Sequence, residues 1–144
     1  PKQIKENVKI DIKIDTNGTL PERLKEVLPF ADYISMDIKT SPEKYALATG
    51  NKAAFKDIEE SIEIIKGTKD YEFRTTMVPG IADKEDIEKI CERTKKVKKY
   101  VLQNFRNLNT LSPEFSKKDP YPKGYLQETA SLLKDYAELI EIRE

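Results

Sequence analysis

The 144-residue chain has no histidine, no tryptophan and a single cysteine, Cys91. Without histidine it lacks the commonest general base near neutral pH and the commonest metal ligand, so neither a Ser-His-Asp nor a Cys-His nucleophilic site can be built. One cysteine allows no intrachain disulfide and no set of thiolates for zinc or an iron–sulfur cluster. Net charge is also missing, because 26 Lys and Arg balance 26 Asp and Glu. Nothing in that balance draws the chain to nucleic acid or to an anionic membrane. No apolar run approaches the ~18 residues of a membrane span and no signal peptide opens the chain, so a cytoplasmic protein is expected. Any chemistry must rest on carboxylates, Lys, Arg, Tyr or a bound group.

What is present is an alternation of two periodicities. Val8 to Asp15 alternates Val8, Ile10, Ile12 and Ile14 with charged residues, a strand pattern that ends in the turn residues Asp15-Thr16-Asn17-Gly18. Leu20 to Leu28 reads as a helix with Thr19 as N-cap and Pro21 in its first turn. A second strand spans Asp32 to Lys39, and Ser41-Pro42 opens a helical turn that Gly50 closes. Lys52 to Lys66 then carries an apolar stripe at Phe55, Ile58, Ile62 and Ile65. The third strand, Tyr71 to Met77, precedes Pro79-Gly80. Asp83 caps a helix running to about Lys98, with Ile87, Ile90, Cys91, Thr94 and Val97 on its buried side. Cys91 on that stripe is a core residue, since free cysteine packs as a small hydrophobe. A strand at Tyr100 to Phe105, a polar loop with Pro113, Pro120 and Pro122, a helix from Gly124 to Tyr136 and a strand from Glu138 to Arg143 complete the chain.

Strict alternation predicts an α/β fold of parallel β/α repeats in one partial domain over 1–144. An open doubly wound sheet and an arc of a barrel both satisfy it. Each of the first three strands has one polar face: Asp11, Lys13 and Asp15; Ser35, Asp37 and Lys39; Glu72, Arg74 and Thr76. Central strands of an open sheet are apolar on both sides, and a closed barrel is filled by branched apolar side chains. The pattern therefore favours an incomplete (β/α) TIM-like barrel with a wet inner face. In such folds function gathers at the C-terminal ends of strands, which here bring Asp15, Asp37, Lys39 and Arg74 to one rim.

The same strand ends carry a resemblance. Lys13-Ile14-Asp15-Thr16-Asn17-Gly18 resembles the "DTNG" strand of radical S-adenosylmethionine activating enzymes, and Met36-Asp37-Ile38-Lys39 their following "MD-aliphatic-K" strand. Phe73 to Gly80 is similar to their "R-x-x-x-V-P-G" segment, and Tyr100 to Arg106 to the next strand. The order and spacing of the set match the activators of anaerobic ribonucleoside-triphosphate reductase and of pyruvate formate-lyase. The resemblance implies a parent enzyme in which S-adenosylmethionine and a 4Fe-4S cluster on a CxxxCxxC loop yield a 5′-deoxyadenosyl radical. That radical installs a glycyl radical on a partner glycyl radical enzyme. It further implies cofactor contacts at Asp15, Thr16, Asn17, Asp37, Lys39, Arg74 and Arg106, with Asp15, Thr16 and Asp37 around a monovalent cation. At Arg106 the pyruvate formate-lyase type tends to carry His.

The CxxxCxxC motif and the Gly-Gly-Glu segment that precede "DTNG" in the family do not occur in these residues. The match therefore covers the C-terminal half of a family domain, and this chain alone is expected to hold no cluster and to be inactive. Two other functions fit parts of the pattern. One is an aldolase-like barrel with Lys39 as Schiff-base nucleophile and Asp37 or Asp15 as proton carrier. The other is a non-catalytic module whose rim binds a peptide.

Overall fold

The computed structural model describes residues 10–50, 53–108 and 113–144. β1 (Lys13–Thr16) leads to α1 (Pro21–Val27). β2 (Tyr33–Asp37) leads through a 3-10 turn to α2 (Tyr45–Thr49) and α3 (Phe55–Lys66). β3 (Tyr71–Met77) is followed by α4 (Lys84–Thr94), and β4 (Val97–Asn104) by α5 (Lys123–Leu132) and β5 (Ala137–Arg143).

All neighbouring strands pair in parallel, in the order β1-β2-β3-β4-β5. That order separates the two architectures. A doubly wound sheet reverses direction at a switch point and carries helices on both faces. Here every crossover steps the same way, so with a constant hand of connection the helices fall on one side. Accordingly α1 packs on α3, α3 on α4 and α4 on α5. The fold is an arc of β/α repeats whose other face carries no helix among the described residues, as the partial barrel requires.

The core lies between the sheet and that helix layer. Ile34, Met36, Phe73, Met77, Tyr100 and Leu102 project from the strands onto Ile58, Ile62 and Ile65 of α3 and Ile87, Ile90 and Cys91 of α4. Buried apolar surface contributes about 25 cal/mol per Å², and this is the layer that stabilises the sheet.

Several boundaries differ from the sequence patterns, each for a local reason. β1 is shorter than Val8 to Asp15. Val8 and Lys9 lie outside the described residues, and the Ile12 N–H is taken by the Asp32 side chain at 2.9 Å instead of by a strand partner. Thr19 does not cap α1: its N–H and hydroxyl both turn back to Asn17 Oδ1, at 3.1 and 2.8 Å, and Leu20 occupies the cap position. The start at Lys52 lies outside the described residues, and α3 begins at Phe55. Asp83 does cap α4, exchanging hydrogen bonds with Asp86 in a capping box. That helix stops at Thr94 because Lys95 adopts a positive φ of 55°, which frees Val97 to start β4. The last helix breaks into a 3-10 turn at Leu133–Asp135 before β5.

Candidate functional site at the strand ends

Because side chains alternate along a strand, the helix-free face collects Lys13 and Asp15 from β1, Tyr33, Ser35 and Asp37 from β2, and Glu72, Arg74 and Thr76 from β3. β4 adds Lys99 and Gln103, and β5 adds Glu141 and Arg143. Register places Asp37 beside Arg74 and Ser35 between Asp15 and Glu72.

At the C-terminal edge these groups close on one another. Arg74 Nε donates to Asp37 Oδ1, and Arg74 Nη1 lies 2.8 Å from Asp15 Oδ1. Lys39 Nζ donates to Asp37 Oδ2 at 2.7 Å. Partial burial works to raise the Asp37 carboxyl, but the hydrogen bonds from Lys39 and Arg74 outweigh it and hold its pKa below the ordinary value. Burial likewise opposes the charge of Arg74, and Asp37 and Asp15 overcome it and raise its pKa. The rim thus holds two cations and two carboxylates, partly exposed and neutralised by each other.

The loops beneath are fastened by a second cluster. Ser41 donates to Asp86 Oδ1 at 2.6 Å, and Lys44 reaches Asp86 at 2.7 Å and Asp83 at 2.9 Å. Asp86 is buried, and these bonds tie the segment after β2 to the start of α4. The Thr40 hydroxyl adds a bond to the Ile81 carbonyl.

Among the residues expected at the site, the structure brings together Asp15, Asp37, Lys39 and Arg74. Thr16 and Asn17 stand beside them but are spent on the turn: Thr16 Oγ1 accepts the Gly18 N–H at 3.1 Å, and Asn17 Oδ1 holds Thr19. Arg106 is exposed and donates to the Glu144 carbonyl, with no ion pair to the rim carboxylates. The oxygens proposed for a monovalent cation are committed as well, Asp37 to Arg74 and Lys39 and Thr16 to Gly18.

Sequence reasoning placed Glu72 on the polar strand face but gave it no role. It is 1% exposed and lies on the inner face one step below Arg74. Arg143 binds it with two nitrogens at 3.1 and 3.0 Å, Ser35 donates at 2.9 Å and Tyr33 at 3.1 Å. Lys99 lies 3.2 Å away and Lys13 3.8 Å. Lys99 and Arg143 also share Glu141, at 2.7 and 2.6 Å. One carboxylate therefore ties all five strands across the inner face. The available signal was a Glu between Tyr71 and Phe73 on a strand otherwise buried along that stretch.

A carboxylate-bearing ligand could draw the Lys39 ammonium and the Arg74 guanidinium, and an ammonium could be met by Asp15 or Asp37. That donor set suits an amino-acid zwitterion. A Schiff-base role for Lys39 is not favoured, because its nitrogen is ion-paired with Asp37 at 2.7 Å and its side chain is partly exposed, not set in an apolar pocket. An iron–sulfur cluster does not fit these residues. Cys91 is the only thiol, it is 1% exposed in the helix layer, and burial with nearby Glu88 and Glu92 pushes its pKa up to about 12. Among the described residues no group of three or more His, Cys, Asp or Glu is arranged to hold a metal ion.

The model of the radical SAM superfamily matches residues 2–94. A protein of Methanocaldococcus jannaschii, named as a candidate glycyl-radical enzyme activating enzyme, is 36% identical over 140 residues, which cover 92% of this chain and 58% of that protein. The chain thus spans less than two thirds of the length of this curated relative. The crystal structure of a domain of pyruvate-formate lyase-activating enzyme from Bacteroides vulgatus superposes with a TM-score of 0.64 at 18% identity, over 90% of this chain and 81% of that chain. At that identity the likeness bears on the fold.

Proposed function

The chain belongs to the radical SAM superfamily, and from that premise we propose that it is the rim-bearing part of a glycyl-radical enzyme activating enzyme. In the whole enzyme S-adenosylmethionine and a 4Fe-4S cluster would supply the 5′-deoxyadenosyl radical that installs a glycyl radical on the partner. The observation that carries the proposal is the rim itself: Asp15, Asp37, Lys39 and Arg74, from three successive strands, meet in one ion-paired cluster.

In this proposal Lys39 and Arg74 receive the carboxylate of S-adenosylmethionine, Lys39 as a compact point charge and Arg74 as a planar donor. Asp37 orients both, and Asp15 faces the ligand's ammonium or a monovalent cation beside it. Thr16 and Asn17 shape the turn that presents Asp15. The concave face, lined by Tyr33, Thr76 and Gln103, accommodates the glycine-bearing loop of the partner. Arg106 stands on the approach to that face. The cluster is assigned to a CxxxCxxC segment of the parent, outside these 144 residues. No helix among the described residues is long and apolar enough to cross a membrane, and we assign the enzyme to the cytoplasm.

Calorimetric titration of the chain with S-adenosylmethionine tests the rim. Asp37→Ala or Lys39→Ala should each weaken binding roughly ten- to a hundredfold, the effect of losing a charged contact worth ~1.5–3 kcal/mol. Unchanged affinity in both variants would refute the placement. An anaerobic 5′-deoxyadenosine assay then compares the chain with a longer protein carrying CxxxCxxC. Turnover by the 144-residue chain itself would sink the division of labour.

A further inference from the structure

Thr76 and Gln103 are register partners on β3 and β4, one inner-face step beyond Arg74. Both are partly buried, and among the described residues neither the Thr76 hydroxyl nor the Gln103 amide makes a hydrogen bond. Their charged neighbours are already engaged. Arg74 is held by Asp37 and Asp15, and Arg143, the register partner of Gln103 on β5, is turned to Glu72 and Glu141. A saturated ion cluster therefore borders an uncharged amide and hydroxyl whose bonding capacity is unspent. Phe105, two residues beyond Gln103, packs edge-on against Phe115 at 6.4 Å and walls that corner of the mouth. The mouth carries a second feature. Leu20, Leu47 and Leu108 are 65%, 70% and 76% exposed, on the segments that follow β1, β2 and β4. Parallel pairing carries all three to the end of the sheet where the rim lies. One exposed leucine needs no explanation. Three of them, spread over three strand spacings or about 14 Å, give a protein surface apolar footing on several sides of the opening.

A primary amide offers an acceptor oxygen and two donor hydrogens, and a hydroxyl can give or take. In an extended peptide the N–H and C=O of one residue point to the same side, where a primary amide can meet both. Having no charge, the pair suits peptide backbone, whereas a carboxylate is drawn to Lys39 and Arg74. Such contact needs close approach of the backbone, which glycine permits because it has no Cβ. We infer that Thr76 and Gln103 form a backbone-reading subsite for the partner's glycine-bearing loop. Gln103 pairs with the N–H and C=O of the glycine, and Thr76 bonds the adjoining peptide unit. The leucines at the mouth cover apolar surface of the protein that carries the loop. This rests on the activating-enzyme reading and adds to it the residues that recognise the substrate backbone.

Two capped pentapeptides, acetyl-Ala-Ala-Gly-Ala-Ala-amide and its N-methylglycine counterpart, are titrated into the isotope-labelled chain, with Kd read from amide NMR shifts. Wild type should bind the glycine peptide about three- to tenfold more tightly than the N-methylated one, the share of one hydrogen bond. Gln103→Leu should lose a similar factor for the glycine peptide and no longer distinguish the two. Thr76→Val should lose affinity for both yet keep the distinction, because it leaves the Gln103 contact in place. The wild-type comparison stands even where a variant folds poorly. No binding by wild type, equal affinity for the two peptides, or unchanged binding in both variants overturns the subsite. A fall in S-adenosylmethionine affinity in Gln103→Leu as large as its fall for the peptide assigns the amide to the cofactor and overturns the subsite too. The activating-enzyme reading fails separately, through the 5′-deoxyadenosine assay on the longer protein.

Discussion

Replacing Glu72 by Gln removes one negative charge from the inner face and leaves its shape. Burial alone would raise the Glu72 carboxyl, but hydrogen bonds from Arg143, Ser35 and Lys99 hold its pKa down, from an ordinary 4.5 to about 2. A difference of that size corresponds to about 3 kcal/mol of stability at neutral pH. We discount this to about 2–3 kcal/mol, because Lys13 and Arg143 are partly in solvent, and because Arg143 and Lys99 keep Glu141. The sign follows from the depressed pKa. The contribution is fully present above about pH 4.5 and is lost as pH falls toward 2. Thermal unfolding at a series of pH values should therefore show Glu72→Gln less stable than wild type at pH 7, with a Tm lower by roughly 6–10 °C. The gap should narrow steadily below pH 4.5. A gap independent of pH, or none at pH 7, would refute the assignment of Glu72 as the charge that joins the strands.

Three further outcomes follow from local geometry. Cys91 should resist a thiol reagent under native conditions and react only on unfolding, since its thiol is buried and its pKa lies near 12; rapid labelling at pH 8 would contradict its packing. Gly18→Ala should cost about 1–3 kcal/mol in denaturant unfolding. Gly18 has a φ of +72°, and a Cβ there would come within 2.1 Å of the buried Met36 side chain; a neutral result would mean that this turn relaxes freely. Asp83→Ala should destabilise by about 0.5–2 kcal/mol, through loss of the α4 capping box and of a contact to Lys44; an unchanged urea midpoint would show that Asp86 holds both alone.

Much of the fold was legible because period-two and helical patterns alternate and are bounded by strong turn residues. Asp15, Asp37 and Arg74 could be placed on one edge because each lies at the polar face of a strand near its C-terminal end, and parallel pairing carries those ends to the same side. Lys39 follows two residues after Asp37 and keeps that side. Strand order was not in the pattern, since alternation alone does not say whether each crossover steps onward or back. Boundaries failed where short polar side chains took over backbone partners, as Asn17 does with Thr19 and Asp32 with Ile12. The role of Glu72 was hidden for a different reason. Its chief partner, Arg143, is 71 residues away and two strands over, a distance that no local spacing encodes.

The two levels of the inner face divide the work between them. A barrel interior filled by apolar layers is rigid and closed. An arc with a helix-free face has no such filling and must hold its strands in place by other means. Glu72 does so at the lower level, where it is buried and saturated by groups from every other strand. A buried carboxylate with that many donors resists exchange, because releasing any partner leaves charge unsatisfied in a desolvated place. The upper level is built from the same residue types but is more exposed: the Lys39 side chain is 41% accessible and that of Asp15 51%. Ion pairs so open to water are weak enough to be traded for a ligand. Strand positions only two residues apart, Glu72 and Arg74, thus separate a buried floor that fixes the sheet from a rim more open to solvent, where the proposed ligand would bind.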